Sequence, residues 1–416
     1  MQASKLGFSA ALLMAVGCNV SSPDNTGGTN ALSGVCGRGV VVINTDYQST
    51  NVSLVSVDGQ VLSSSFISSA SGATGLSAPL GGDVVAPSQW QDDDEIVLLD
   101  RYPASVVTWV DVASAEPIGQ LSAATGYAAN PRDFLRVSPN KAYVTRYDPN
   151  LDPGQQPFDG GSDILVIDPM TRSIQGRIDM QPAMTGAPDG FFARPDKLLL
   201  VEDRVLVLLG GYAADFVTSV PSRVASLNPG TDSLIETISL DGMHGCTTMA
   251  LSPAGDELAV ACSGEFAGDS VTTLPESGIV LVSVGTTFAE RRRFPAAKFG
   301  TGPVGGAIAY TSNTRLVFTT FGQFEEQGQA YRDDAFVQLE IDSGQFEVAL
   351  RSEGEPFSLG DVRCAPECGV CFLADAKRDG GVLHRFTLGE GGQLGDRWEI
   401  VVDRGIGLPP RNLGWF

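Results

Sequence analysis

Histidine is nearly missing: His244 and His384 are the only two in 416 residues. That scarcity excludes multi-histidine copper centres and leaves no histidine pair for a conventional metal hydrolase. Basic residues are also in deficit, 27 Lys and Arg against 49 Asp and Glu, for a net charge of −22. Phosphate recognition rests on clustered cations, so nucleic acid is excluded as a partner, and an acidic surface repels anionic lipid. No G-x-S-x-G elbow, Walker loop or dinucleotide fingerprint occurs. Beyond the first residues no apolar run is long enough for a transmembrane helix. What is abundant instead is turn chemistry. The 49 glycines and 24 prolines favour many short strands over long amphipathic helices.

Residues 1–17 read as a signal peptide, with Lys5 as the positive region and residues 6–16 as the apolar one. Ala15-Val16-Gly17-Cys18 resembles a bacterial lipobox, with Ala15 where Leu is usual. The resemblance implies a diacylglyceryl thioether on Cys18 and a further acyl chain such as palmitate on its freed amine, enough for stable anchoring. The alternative is an ordinary secretory signal cut nearby; both export the chain. Residues 18–34 comprise Cys18 and a stretch mainly of Ser, Pro, Asp, Asn, Thr and Gly, the composition of a flexible tether. Asn19 is not the Asp associated with inner-membrane retention, which favours the outer membrane.

From residue 35 to 416 one period recurs. A Pro or Gly followed by an apolar strand stands at Gly81, Pro131, Arg194, His244, Gly302, Phe357 and Pro410, at spacings of roughly 50 to 60 residues, within or slightly above the range of propeller repeats. A tight turn and a second β-branched run accompany the copies, as in KAYVTRYD from Lys141 and RLVFTTFGQF from Arg315. Third and fourth runs complete each unit, as in DILVIDPMT and SIQGRIDM. Four strands, seven times, predict an all-β, seven-bladed β-propeller of four-stranded antiparallel blades. The first unit begins at its second strand, from Val40, and the chain stops after an unpartnered first strand, Pro410 to Phe416. Pairing the two closes the ring and removes two exposed edges.

In the third unit KAYVTRYD followed by DILVIDPMTRSIQGRIDM resembles the YVTN type of propeller repeat, with Arg146 where that pattern has Asn. The resemblance is recognisable in the fourth and fifth units and blurred elsewhere. It implies kinship with lactonase-like and quinoprotein-like propellers, and therefore fold far more than function.

Six cysteines remain after Cys18, an even number in an exported domain, which suggests disulfides. Cys246 and Cys262 flank one hairpin turn and should be bridged. Cys364 and Cys371 flank the equivalent turn of the last unit, with Cys368 at its tip, while Cys36 precedes the strand that ring closure would bring alongside. The preferred pairs are Cys364 with Cys371 and Cys36 with Cys368, with permutation among the four left open. An iron-sulfur cluster on CAPECGVC would need a reducing compartment, and CGVC lacks the following His of a haem site.

Connections between second and third strands are long at 148–162, 213–222, 267–277 and 325–334, and alternation puts them on one rim. An aromatic ends the second strand in most units: Tyr47, Tyr102, Tyr147, Tyr212, Phe266 and Phe324. These rings either pack between neighbouring loops or stack on a sugar or a protein partner. Phe216, Tyr331, Arg332 and Arg146 extend that candidate rim. Asp148, Asp152, Asp159 and Asp163 are weak calcium candidates, because they lack the D-x-[DN]-x-[DN]-G spacing. No cofactor or catalytic residue is assigned. The sequence thus reads as an envelope lipoprotein whose rim binds an envelope protein or polysaccharide, rather than as an enzyme. The alternatives are a lactonase- or lyase-type enzyme with its site in the axial channel, or a structural spacer.

Overall fold

A computed structural model describes residues 37–416 apart from 73–75, 77, 92–93, 268–269, 272–273, 326–329, 354 and 378–379. The signal peptide, Cys18 and the tether therefore lie outside the described residues. Alternating apolar residues in short, turn-bounded runs form seven four-stranded antiparallel sheets, meanders from inner to outer edge except that blade 1 takes its inner strand from the end of the chain and blade 5 carries a small extra hairpin between its second and third strands. Blade 3 is representative, with strands Pro131–Ser138, Lys141–Pro149, Gly161–Asp168 and Ser173–Asp179. Blade 2 departs most, since its first strand is only Val84–Val85. From blade 3 through blade 7 to the closing strand of blade 1, first strands of neighbouring blades touch one another around the axis.

Burial follows distance from the axis. All of Gly39–Thr45, a second strand, is buried, because its sheet is packed on both faces, whereas Phe346–Arg351, a fourth strand, is mostly exposed. The core is divided accordingly into seven apolar clusters, one between each pair of adjacent blades. Leu135, Tyr143 and Ile164 of blade 3 meet Leu198, Val205 and Val207 of blade 4. Val40 and Val42 of blade 1 meet Phe372 and Leu383 of blade 7, which completes the circle. Each fully buried Val, Leu or Phe in such a cluster contributes about 1.5–3 kcal/mol.

The ring closes as the sequence predicts. Pro410–Trp415 pairs antiparallel with Gly39–Thr45, placing Leu413 opposite Val42 and Gly414 opposite Val41. Gly414 is required there, since a Cβ on it would lie 2.5 Å from the Cβ of Ala86 in blade 2. Backbone N–H groups of Arg38 and Gly39 both donate to the carbonyl of Phe416, at 2.5 and 3.2 Å.

Side chains near the start of a third strand fasten blades 2 to 6 each to the next. Ser105 Oγ accepts from Ala129 N, Ser162 Oγ from Arg194 N, Ser222 Oγ from Cys246 N and Ser277 Oγ from Val304 N, at 2.8–3.2 Å. Asp334 fills that place in blade 6 and accepts from the N–H groups of Gly322, Phe357, Ser358 and Leu359. Nearer the axis Asp133 receives Ser88 N and Leu198 N, from the blades on either side, both at 2.9 Å.

Two disulfides join first to second strands, Cys246–Cys262 and Cys364–Cys371, and each pair is directly opposite in register. Cys368 is itself disulfide-bonded. Its expected partner, Cys36, lies outside the described residues.

Candidate functional site

First strands begin, and second strands end, at the same end of the ring, where the long connections gather. The structure separates the expected rim residues into buried and exposed sets. Arg146 does not belong to a binding rim. It is wholly buried, its Nε and Nη2 donate to the two oxygens of Asp163 at 2.6 Å each, and its remaining N–H groups reach Ala123 O, Thr125 Oγ1 and Phe158 O. Opposition of Asp163 and Arg146 across the second and third strands dictates this pairing. Tyr147 is likewise buried, in a ladder of Arg132, Tyr147, Phe216 and Arg194: Arg132 lies 4.4 Å from the Tyr147 ring centre, Tyr147 stacks on Phe216 at 5.8 Å, and Arg194 caps Phe216 at 3.6 Å. Arg332 leans on its own loop, donating to Phe321 O, and Tyr212 is half-buried beside the same ladder. Tyr47, Tyr102, Phe324 and Tyr331 are exposed, with 62%, 59%, 45% and 42% of their surface accessible. Phe266 opens a two-residue strand pairing with Ser270–Val271, and its side chain lies outside the description.

The calcium candidates do not converge. Asp163 is spent on Arg146 and Arg177, and Asp148 on Arg194 at 2.9 Å. Asp159 accepts N–H groups from Gly154, Gln155 and Gln156, which hold its carboxyl below the usual range and fold the loop on itself. Asp152 is exposed. Among the described residues the donors that do meet are His244, Glu265 and Glu276, one atom from each lying within 4.8 Å of the others.

The second residue of each first strand stands at the channel mouth, and these positions hold Arg132, Asp196, Thr247 and Arg411 in blades 3, 4, 5 and 1. Asp83 and Arg101 join them from blade 2 as an ion pair. Burial works to lower the pKa of Arg132, but attraction by Asp196, Tyr147, Asp83 and Asp148 outweighs it and raises the value. Arg101 is pushed the other way, by burial and by repulsion from Arg132, against the pull of Asp83. Arg101 and Arg132 thus repel one another in a half-buried mouth, with Asp83 and Asp196 as their counter-charges. The Nε of Arg132 is buried and without a hydrogen-bond acceptor. Sequence reasoning missed this cluster; for Asp83, Arg132, Asp196 and Arg411 the signal was the position directly after the opening Gly or Pro.

A cavity of about 240 Å³ opens at the opposite, short-turn end of the axis, against Leu199, Met249, Tyr310, Arg363, Glu367 and Trp415. Several of its polar groups are already engaged. Tyr310 donates to Glu257 at 3.0 Å, and Arg363 binds Leu413 O and Asp361 at 3.0 Å each. The mouth, with an unsatisfied cationic donor, is the stronger chemical site.

No family model matches the chain, and no curated protein sequence matches it. Solved structures do. The Pseudomonas aeruginosa periplasmic gluconolactonase superposes with a TM-score of 0.55 at 12% identity, over 90% of this chain and 98% of that one. Putative 6-phosphogluconolactonases from Bacteroides fragilis and Bacteroides uniformis give TM-scores of 0.54 each, at 10% and 11% identity, over 90% of this chain and 96% and 98% of theirs. What the chain shares with these lactonase-like proteins is the seven-bladed propeller fold.

Proposed function

We propose that the protein is an exported, lipid-anchored propeller enzyme that opens an internal ester of a sugar acid, a lactone, at the long-loop mouth of its channel. The observation that carries this reading is the mutually repelling pair Arg101 and Arg132, the latter with a buried, unsatisfied Nε. Such a pair is relieved by an oxyanion, and a guanidinium is always charged and offers a fork of donors. In this reading Arg132 holds the carbonyl oxygen as it becomes an oxyanion. Asp196 takes a proton from the attacking water, the acyl C–O ring bond breaks, and that proton passes to the departing ring oxygen. The product is a hydroxy acid whose carboxylate the same arginines can bind. Likeness to lactonases supports the reading at the level of fold, as does the YVTN-like repeat. The lipobox-like Ala15-Val16-Gly17-Cys18 supports the anchor, and Asn19 supports the outer membrane.

The test is turnover of five- and six-membered aldonolactones by the purified protein, followed by acid release at constant pH. Arg132→Met and Asp196→Asn should each lower kcat/KM by about 100-fold or more. Absence of turnover together with absence of aldonate binding would overturn the reading.

A second reading, capture of an envelope protein or polysaccharide, is favoured by the exposed rings of Tyr47, Tyr102, Phe324 and Tyr331 at the same end. It predicts that Tyr102→Ala with Phe324→Ala abolishes partner recovery from detergent-solubilised envelope while leaving lactone turnover intact.

A further inference from the structure

We propose that His244, Glu265 and Glu276 form a divalent-metal site of zinc type on the long-loop rim of blade 5, with Ser219 as its positioning residue. The three donors come from separate turns of the chain. His244 lies in the connection from blade 4 to blade 5, whereas Glu265 and Glu276 lie at the two ends of the loop joining Glu257–Cys262 to Gly278–Ser283. A backbone bond from His244 N to Glu276 O, 3.2 Å, holds the two segments together.

The geometry suits an ion. One ligand atom from each of the three residues lies within 4.8 Å of the others. Glu276 Oε2 is buried and receives no hydrogen bond, a costly state for a carboxylate oxygen that a cation would end. Ser219 links the other carboxylate to the imidazole: its N and Oγ donate to Glu265 Oε1 at 2.8 and 2.6 Å, so its Oγ accepts from His244 Nδ1–H at 2.7 Å, which leaves Nε2 as the imidazole's metal donor. Two carboxylates and an imidazole are a three-ligand set that leaves a coordination position open, as catalytic zinc sites do. Calcium prefers six to eight oxygens and no nitrogen. The local field is negative as well: burial and then Glu265, Asp196 and Glu276 push the nearby Tyr212 phenol up to about 12, with Arg194 opposing.

The site stands beside the channel mouth but does not depend on ester hydrolysis, so a protein inert toward lactones could still bear it out. The full-length protein, stripped with chelator in detergent, would be titrated with Zn²⁺ by calorimetry and its bound metal counted by elemental analysis. The expected result is one zinc per chain at pH 7.5, with affinity at least about 10-fold weaker at pH 5.5, because the imidazole must be deprotonated to bind. Glu276→Gln and His244→Ala should lose saturable binding. Ser219→Ala should weaken it by about 10- to 100-fold with the one-to-one ratio kept, and Asp152→Asn should leave it unchanged. Circular dichroism identifies any variant that fails to fold; Glu276→Gln, which removes charge without volume, is the decisive one. No stoichiometric zinc, undiminished zinc in folded Glu276→Gln, or preference for Ca²⁺ would each overturn the proposal.

Discussion

Arg146 shows how far one residue's role depends on what stands across the sheet. From the sequence it is a cation at the end of an exposed-looking strand, a natural rim residue. Its register partner is Asp163, and the pair is buried with the Arg fork on both carboxylate oxygens. Methionine in its place would leave Asp163 in the interior with only Arg177, 3.3 Å away and partly exposed. Arg146→Met should therefore cost about 3–5 kcal/mol, read as a lowered urea midpoint, and Lys should not restore it because it lacks the fork. The mouth residues Arg132, Asp196 and Arg411 were illegible for the opposite reason. They share a position but not a chemistry, and each is separated from the next by at least a whole blade of sequence. The metal-ligand set was missed because the sequence offers no pair of histidines, while the pairing of one histidine with two glutamates 21 and 32 residues away appears only after folding.

At the scale of the element, strands were legible wherever β-branched runs alternate between turns, and the disulfide pairs followed from counting outward from those turns. Blade 2 shows where pattern weakens, since GGDVVAPS yields only Val84–Val85 as strand. The joints between blades were less visible, although they too recur. Ser277 receives Val304 N and donates to Cys262 O at 2.8 Å, joining the second strand of its own blade to the first strand of the next. Ser277→Ala should leave a buried N–H without an acceptor and cost about 1–3 kcal/mol. Hydrogen exchange at Val304 should accelerate more than at Val205, two blades' joints away. Equal effects at both amides would show that the clamp is not local.

For the molecule as a whole, closure was the most legible feature because it was forced: a chain with a spare first strand at one end and a missing one at the other has a single economical arrangement. Deleting residues 410–416 should expose the paired edge of Gly39–Thr45 and the apolar faces around Val40 and Val42. The expected outcome is an expanded or associating species by size exclusion and small-angle scattering. A truncated chain that stays monomeric with an unchanged radius of gyration would contradict that role for the terminal strand.

The first described strand, Gly39–Thr45, runs from the short-turn end toward the long-loop end, and Phe416 meets it at its start. A lipid at Cys18 would consequently hold the propeller by its short-turn face. Attachment there would leave the opposite, arginine-bearing mouth clear of the anchoring point and accessible to whatever diffuses past.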